Sequence, residues 1–241
     1  PLYSSAASDV YKRQVYALED FTLSIKAGEF IGIVGPSGSG KSTLLSLLMG
    51  LYKPTKGAIY INGIDIANYD SSVLRHLMGY VFQQAYLFKG SIKDNLTLFD
   101  TSISYDDMVA AAKQVNLDSM IEQLPEGYHT PVGYLGSLLS DGQKQLLAFG
   151  RTLIRNTPIL LLDEATANID SHTEKQIQAS IENIRGSKTI VSIAHRLSTV
   201  QDANKIVYME YGKIIEKGSF EELINSKGAF YNLWSNQQSG S

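Results

Sequence analysis

A lysine and a serine that follow a glycine-rich stretch are the residues with the clearest chemical potential. The stretch reads Gly35-Pro36-Ser37-Gly38-Ser39-Gly40-Lys41-Ser42-Thr43. Glycines allow the backbone to bend so that successive N–H groups point into one anion-sized hollow. The ammonium group of Lys41 can bind phosphate oxygens, and the hydroxyl of Ser42 can ligate Mg²⁺. We therefore predict that residues 35–43 bind the phosphates of a nucleotide and that Ser42 is a metal ligand.

The segments on either side of this stretch are the elements that must position it. The apolar run at 30–34 is typical of a buried strand, and the run at 42–49 predicts a helix that ends at Gly50. A strand, a glycine loop and a helix in this order form a phosphate-binding P-loop. The helix N-terminus would add its positive dipole to the hollow. The alternative is a Gly/Ser-rich turn that binds nothing, and the flanking elements argue against it.

Two adjacent carboxylates, Asp163 and Glu164, follow the apolar run at 159–162. Ligands of open α/β sheets bind at the carboxyl ends of the strands, where this pair would lie. Asp163 is therefore a candidate for holding Mg²⁺. Glu164 is a candidate for orienting or deprotonating an attacking water. The alternative is a solvated strand end without function, and the presence of the P-loop argues against it.

The remaining patterns predict an α/β protein. Continuous apolar runs near 79–82, 159–162, 189–194 and 205–209 are typical of parallel strands, and they alternate with helix-like segments. Alternating apolar residues at Phe21, Leu23 and Ile25 predict a further strand, and Asn62-Gly63 predicts a hairpin turn. Residues from about 90 to 150 carry few strand signals. The expected fold is a P-loop NTPase core with a parallel sheet, a flanking antiparallel β-subdomain and an inserted α-helical subdomain.

The composition excludes several classes of site and partner. The chain of 241 residues contains no cysteine, which rules out disulfides and cysteine-ligated metals. Its net charge of −3 gives no overall positive potential that would attract nucleic acid, so we expect no nucleic-acid partner. The longest apolar runs are far shorter than the ~20 residues that span a bilayer. We expect the isolated domain to be soluble, with any membrane role supplied by a partner or by a segment outside this chain.

A second motif, Leu139-Ser140-Asp141-Gly142-Gln143, identifies a family. It resembles the signature motif of ATP-binding-cassette (ABC) ATPases, usually written LSGGQ. Gln83 matches the Q-loop of that family, Asp163-Glu164 matches the end of its Walker B strand, and His195 matches its switch histidine. The segment Ala167-Asn168-Ile169-Asp170 resembles the D-loop. These motifs follow the family's order over residues from about 16 to 235.

This resemblance implies ATP and Mg²⁺ as ligands and hydrolysis of ATP to ADP and phosphate. Glu164 would act as the base, His195 would contact the γ-phosphate, and Gln83 would position Mg²⁺ together with Ser42 and Asp163. Two such domains would pair head to tail. The residues that would then face the ATP held by the partner domain are Ser140, Asp141, Gly142 and Gln143, with Asp170 of the D-loop nearby.

One further stretch narrows the resemblance to bacterial exporters of the multidrug, lipid or peptide type. Residues 130–136, Thr-Pro-Val-Gly-Tyr-Leu-Gly, resemble the exporter loop usually written TEVGERG. Such a domain works with a transmembrane domain, contacted through the Q-loop and the helical subdomain, at the cytoplasmic face of the plasma membrane. Two alternatives stay open: an ABC ATPase of DNA repair or translation, and a nucleotide-binding module that does not hydrolyse.

Several positions depart from the family pattern. Asp141 replaces a glycine, and we expect its carboxylate to point away from the phosphates. Pro131 replaces a glutamate in the exporter loop. The aromatic residue that stacks on adenine in the family is expected upstream of the P-loop, where Tyr11 is the candidate.

The two ends of the chain differ from its centre. Residues 9–14 resemble a translated sequencing adapter, so we interpret residues 1–14 as a non-native leader. A natural disordered terminus is the alternative. The natural chain would resume near Val15 and be truncated at its N-terminus. We expect the nucleotide-binding domain to occupy residues 15–236, its helical subdomain about 90–150, and a disordered tail residues 237–241.

Overall fold

The structure is a computed structural model that describes residues 17–164, 169–194 and 196–239. The predicted leader at 1–14 lies outside these ranges. The strands are β1 (Phe30–Val34), β2 (Tyr60–Ile61), β3 (Ile64–Asp65), β4 (Met78–Val81), β5 (Ile159–Asp163), β6 (Thr189–Ile193), β7 (Lys205–Glu210) and β8 (Lys213–Gly218). The helices are α1 (Lys41–Leu48), α2 (Ser71–Leu77), α3 (Ile92–Thr97), α4 (Tyr105–Gln114), α5 (Asp118–Glu122), α6 (Asp141–Ile154), α7 (Ser171–Ile184), α8 (Phe220–Ser226) and α9 (Ala229–Ser239).

A six-stranded sheet in the order β4-β5-β6-β1-β7-β8 forms the centre of the fold. All neighbours are parallel except β7 and β8, which pair antiparallel. All five residues of β1 are buried, as expected for a strand with a covered face on either side. The parallel arrangement places the carboxyl ends of β4, β5, β6 and β1 along one edge of the sheet. The P-loop and the Asp163-Glu164 pair follow two of these strand ends.

Two hydrophobic clusters cover the two faces of the sheet. On one face, Ile31 and Ile33 of β1 pack with Leu44 and Leu45 of α1. The opposite face belongs to a larger cluster that contains α6 and α7 and extends into α3, α4 and α5. Between β4 and β5 the described residues form only helices and loops. The helical part therefore shares its core with the sheet.

The expected fold class is confirmed, together with the hairpin turn at Asn62-Gly63, which joins the antiparallel strands β2 and β3. The strand predicted at Phe21, Leu23 and Ile25 is wrong, because residues 17–29 contain no strand. These side chains do pack against the hydrophobic cluster that contains Leu44 and Leu45 of α1. The alternation of apolar residues therefore reflects burial of one side of this segment. A strand also requires backbone hydrogen bonds to a neighbouring strand, and the alternation does not indicate those.

The C-terminal part consists of α8 and α9, and Lys227 between them adopts a left-handed conformation. The tail expected to be disordered from residue 237 is instead helical as far as Ser239, where α9 ends. Within the described ranges, no helix has both the length and the apolar character that crossing a membrane requires.

Candidate active site

The chain turns sharply between β1 and α1. Gly40, the residue before α1, has a φ angle of 99°, which glycine adopts without the strain that a Cβ would cause. A Cβ at this position would also lie 2.6 Å from the carbonyl oxygen of Ala17. No side chain caps the N-terminus of α1, and its first turn contains no acidic residue. The first N–H groups of α1 and their dipole therefore face the loop without a competing side chain.

Lys41 is the charged group at the base of this loop, and its side chain is buried. Its Nζ donates hydrogen bonds to the carbonyl oxygens of Gly35 and Pro36, both at 2.9 Å, and to Oγ of Ser39 at 3.4 Å. Burial lowers the pKa of Lys41, whereas the nearby carboxylates of Glu164 and Asp163 raise it. An ammonium group held by neutral oxygens at a helix N-terminus is a suitable partner for phosphate oxygens.

The donor set also suits Mg²⁺, which prefers hard oxygen ligands from one or two carboxylates, with phosphates supplying others. Ser42 lies in the first turn of α1 with an exposed side chain, and Asp163 ends β5. Thr43 follows Ser42 on the same turn. The exposed tip of the loop consists of Pro36, Ser37 and Gly38. The residues of the predicted phosphate site are thus contiguous around one helix start.

Asp163 and Glu164 lie at the carboxyl end of β5, next to the end of β4. Glu164 has a φ angle of 48°, a left-handed conformation that is uncommon for a residue other than glycine and is often found at functional sites. Its backbone N–H donates to the carbonyl oxygen of Ile193 at 3.1 Å. Gln83 Nε2 donates to Oε2 of Glu164 at 2.6 Å. The fold therefore brings together Gln83 and Glu164, which the sequence separates widely.

A residue that the sequence did not single out, Tyr80, contacts Asp163. Its hydroxyl donates to Oδ2 of Asp163 at 2.7 Å, and burial and this hydrogen bond both raise the pKa of Tyr80. Its ring packs edge-on against Phe82, with 4.4 Å between the centroids. The only feature of the sequence that could have indicated this contact is a hydroxyl-bearing residue near the end of the strand beside Asp163.

The signature segment contains the start of α6. Ser140 is the N-cap of α6, and its Oγ accepts a hydrogen bond from the backbone N–H of Gln143 at 3.2 Å. Oε1 of Gln143 in turn accepts from the N–H of Ser140 at 2.9 Å, which completes a capping box. The Asp141 carboxylate pairs with Nζ of Lys144 at 2.9 Å and is largely exposed. A Cβ at Gly142 would collide with the side chain of Thr173.

The P-loop and the signature segment share no polar side-chain contact in the part of the chain that the structure describes. There, no hydrogen bond or ion pair links residues 35–43 to residues 139–143.

Asp170 of the D-loop has a local structural role. It is the N-cap of α7, and its Oδ1 accepts from the backbone N–H groups of His172 and Thr173, both at 3.0 Å. Its Oδ2 accepts from the hydroxyl of Thr173 at 2.7 Å. The hydrogen bonds from Thr173 lower the pKa of Asp170. Four other predicted positions, which are Tyr11, His195 and the D-loop residues 167 and 168, lie outside the described residues.

A second arrangement that the sequence did not indicate ties α6 to the segment after Gln83. The Arg151 guanidinium donates to the backbone oxygens of Asn95 and Tyr86 at 2.8 and 3.0 Å, and to Oδ1 of Asn95 at 3.0 Å. It also lies over the ring of Phe88, 5.5 Å from the centroid. Asn95 is fully buried and binds both the N–H and the carbonyl oxygen of Phe88. The helix that begins with the signature segment is thereby fixed to residues 86–95.

Comparisons with known proteins agree with this geometry. The family model described as ABC transporter matches residues 18–167, more than half of the chain. The chain is 45% identical to the toxin RTX-III translocation ATP-binding protein of Actinobacillus pleuropneumoniae and 42% identical to the beta-(1→2)glucan export ATP-binding/permease protein NdvA of Bartonella bacilliformis. These alignments cover 90% and 89% of the chain but 30% and 36% of the relatives.

A solved structure is also closely similar. It is that of a bacterial Atm1-family ABC exporter with ATP bound, which superimposes with a TM-score of 0.88 at 40% identity. The match covers 94% of this chain and 40% of that one. The chain therefore spans about a third of the length of these curated relatives, and it belongs to the ABC transporter family.

Proposed function

We propose that the chain binds ATP with Mg²⁺ and hydrolyses it to ADP and phosphate, as the nucleotide-binding domain of an exporter. The observation that carries the proposal is the position of Lys41, buried at a helix N-terminus and electrostatically coupled to Asp163 and Glu164. Phosphoryl transfer to water requires a cation that binds the phosphates, a carboxylate that holds the metal ion and a carboxylate that orients the water. Their convergence from separate strands supports a catalytic role.

Residues 35–43 would bind the phosphates through backbone N–H groups, the α1 dipole and the Lys41 ammonium. Ser42, Asp163 and Gln83 would hold Mg²⁺, whose charge would neutralise that of the β- and γ-phosphates when bound. Glu164 would accept a proton from, or orient, the water that attacks the γ-phosphate. His195 would contact the γ-phosphate and Tyr11 the adenine, although both lie outside the described part of the chain.

The signature segment supports a head-to-tail pair of such domains. The capping box at Ser140 and Gln143 holds the start of α6 in a defined geometry, and its N-terminus presents N–H groups to an anion. Because no hydrogen bond or ion pair among the described residues links this segment to its own P-loop, we propose that Ser140 to Gln143 bind the ATP of a second copy or a related domain. Asp170 would lie near the same interface. ATP would then stabilise the closed pair, and hydrolysis would release it.

A membrane partner is supported by the surface beside Gln83. Three aromatic side chains there, Phe82, Tyr86 and Phe88, are each more than half exposed. Exposed apolar groups of this size favour contact with another protein. We propose that this surface, together with the helical part, contacts a transmembrane domain at the cytoplasmic face of the membrane. Two of the relatives are named for glucan export and toxin translocation, and these names support export as the process that ATP hydrolysis would power.

The test is phosphate release by the purified chain with ATP and Mg²⁺, compared between two lysine variants. Lys41→Ala should abolish ATP-dependent phosphate release and weaken nucleotide binding. Lys188 is the matched control, because its Nζ also donates to neutral oxygens, those of Asn156 and Thr157, and burial also lowers its pKa. Lys188→Ala should retain activity.

Two results would contradict the proposal in different ways. Equal activity in both lysine variants would exclude Lys41 from the reaction. Binding of ATP without any phosphate release by the unaltered chain, also when concentrated enough to pair, would favour a nucleotide-binding module that does not hydrolyse.

A further inference from the structure

The register between β4 and β5 places Tyr80 beside the metal-binding candidate Asp163. Tyr80 is aligned with Leu161 in this parallel pair, so both side chains lie on the same face of the sheet. Asp163 is two residues beyond Leu161 and therefore also lies on that face. A tyrosine side chain is long enough to bridge the roughly 7 Å that two residues add along a strand. Tyr80 packs in the cluster that also contains Leu44 and Leu45 of α1, on the P-loop side of the sheet.

The hydroxyl of Tyr80 uses one of the two carboxylate oxygens of Asp163. It donates to Oδ2 at 2.7 Å, while Oδ1 accepts no hydrogen bond from any residue that the structure describes. The ring is held in turn by its edge-on contact with Phe82. A packed ring carrying a hydroxyl thus fixes the orientation of the carboxylate and leaves Oδ1 as its available oxygen.

We propose that Tyr80 is a positioning residue for Mg²⁺, which acts by holding the Asp163 carboxylate in one orientation with Oδ1 directed to the metal or its water. This inference rests on the proposed binding of Mg²⁺ and ATP. Partners that orient a ligating carboxylate typically change metal affinity about 10- to 100-fold when removed. Tyr80 acts through Asp163, so its contribution concerns the metal and not the phosphates.

The test compares Tyr80→Phe with Tyr128→Phe. Tyr128 is a close match, because its hydroxyl also donates to a carboxylate, Oδ1 of Asp118 at 2.6 Å, in the helical part of the chain. Phenylalanine keeps the packed ring in both variants and removes only the hydroxyl. Binding of Mn²⁺, followed by electron paramagnetic resonance in the presence of a non-hydrolysable ATP analogue, reports metal affinity without catalysis.

Tyr80→Phe should weaken Mn²⁺ binding about 10-fold and raise the half-saturating Mg²⁺ concentration for ATP hydrolysis by a similar factor. Its affinity for the nucleotide in EDTA should equal that of the unaltered chain, and high Mg²⁺ should restore the maximal rate. Tyr128→Phe should match the unaltered chain in all three measurements.

Two outcomes would overturn the inference and leave the proposed function intact. The first is a Mn²⁺ affinity of Tyr80→Phe equal to that of Tyr128→Phe. The second is an equal loss of nucleotide affinity with and without metal, which would mean a purely structural role. If the unaltered chain bound nucleotide without any effect of Mg²⁺, the proposed function and this inference would both be wrong.

Discussion

Nε2 of Gln83 and Oε2 of Glu164 are 2.6 Å apart, so a side-chain hydrogen bond joins the segment after β4 to the end of β5. Gln83 begins a mostly exposed segment that continues to Phe88, with Leu87 buried, and Arg151 holds this segment at the backbone oxygen of Tyr86. A displacement of this segment would therefore reach the Glu164 carboxylate directly. The contact offers a short physical path between the proposed membrane-partner surface and the proposed base.

Glu164→Gln should stop hydrolysis without disturbing this contact. An amide oxygen still accepts a hydrogen bond from Gln83, but an amide cannot accept a proton from water. We expect phosphate release to fall by about 10²- to 10⁴-fold, the usual contribution of a general base. In sedimentation experiments, ATP should convert this variant into a stable dimer.

The matched control for this substitution is Glu182→Gln. Glu182 is an exposed residue near the end of α7 that pairs with Arg185. The Glu182→Gln variant should retain the turnover of the unaltered chain and should not form a stable dimer with ATP. Normal turnover by Glu164→Gln would falsify its assignment as the base.

Lys144 should neutralise the acidic residue in the signature segment. Asp141 occupies the first position of α6, and its carboxylate pairs with Lys144 at 2.9 Å. Lys144→Ala would leave an unpaired negative charge beside the phosphate proposed to bind there. We expect a several-fold lower rate of hydrolysis at low salt and a smaller effect at high salt, because salt screens exposed charges.

The double variant Asp141→Ala with Lys144→Ala separates charge from packing. It should recover most of the activity lost in Lys144→Ala, because the unpaired carboxylate is then absent as well. Equal rates for the single and double variants, at any ionic strength, would show that the pair has no electrostatic influence on the site.

Asn95→Ala should destabilise the helical part of the chain. The buried side chain of Asn95 binds the N–H and carbonyl oxygen of Phe88 and accepts from Arg151, so its removal leaves buried polar groups without partners. Such a loss costs about 1–3 kcal/mol in the free energy of unfolding. Urea denaturation measures it directly, with the exposed Asn68 as control.

Asn68→Ala should change the free energy of unfolding by less than about 0.5 kcal/mol, as is usual for surface positions. If Asn95→Ala were as stable as Asn68→Ala, the link between α6 and residues 86–95 would have no energetic importance.

Asp170 should make stability depend on pH in the acid range. Its hydrogen bonds lower its pKa in the folded chain, so the unfolded chain binds the proton more readily. The stabilisation is therefore complete above the unfolded value, near pH 4, and is lost as the pH falls through the lower folded value. Asp170→Ser provides a neutral N-cap without this titration.

Urea denaturation at a series of pH values between about 6 and 3 should show this contribution. The stability advantage of the unaltered chain over Asp170→Ser should shrink as the pH falls. A constant difference across that range would contradict the lowered pKa of Asp170.

Much of the sheet could be predicted because its parallel strands contain short, continuous apolar runs, such as residues 30–34 of β1 and 159–162 of β5. The P-loop and the signature helix start were recognisable because each is a local pattern with a local geometry. Phe21, Leu23 and Ile25 misled the prediction because their alternation reflects side-chain burial alone. Whether a segment pairs its backbone depends on what lies beside it in space.

The residues that sequence reasoning missed act through distant contacts. Tyr80 and Asp163 are 83 positions apart, and Arg151 and Asn95 are 56 positions apart. Nothing in the composition of either neighbourhood marks them as partners. Their pairing follows from strand order and helix placement, which a single sequence does not specify.

The strand order has a consequence for the time course of folding. The strands that lead to the P-loop, Gln83, Glu164 and the segment after β6 are assembled side by side from widely separated parts of the chain. Contacts of such large sequence separation form slowly, because the intervening chain must be closed into loops first. The helices, whose contacts are local, can form earlier, whereas the proposed nucleotide pocket requires all of these parallel strands to be in place. The proposed ATPase activity would therefore be acquired late in folding and would report that the sheet is complete.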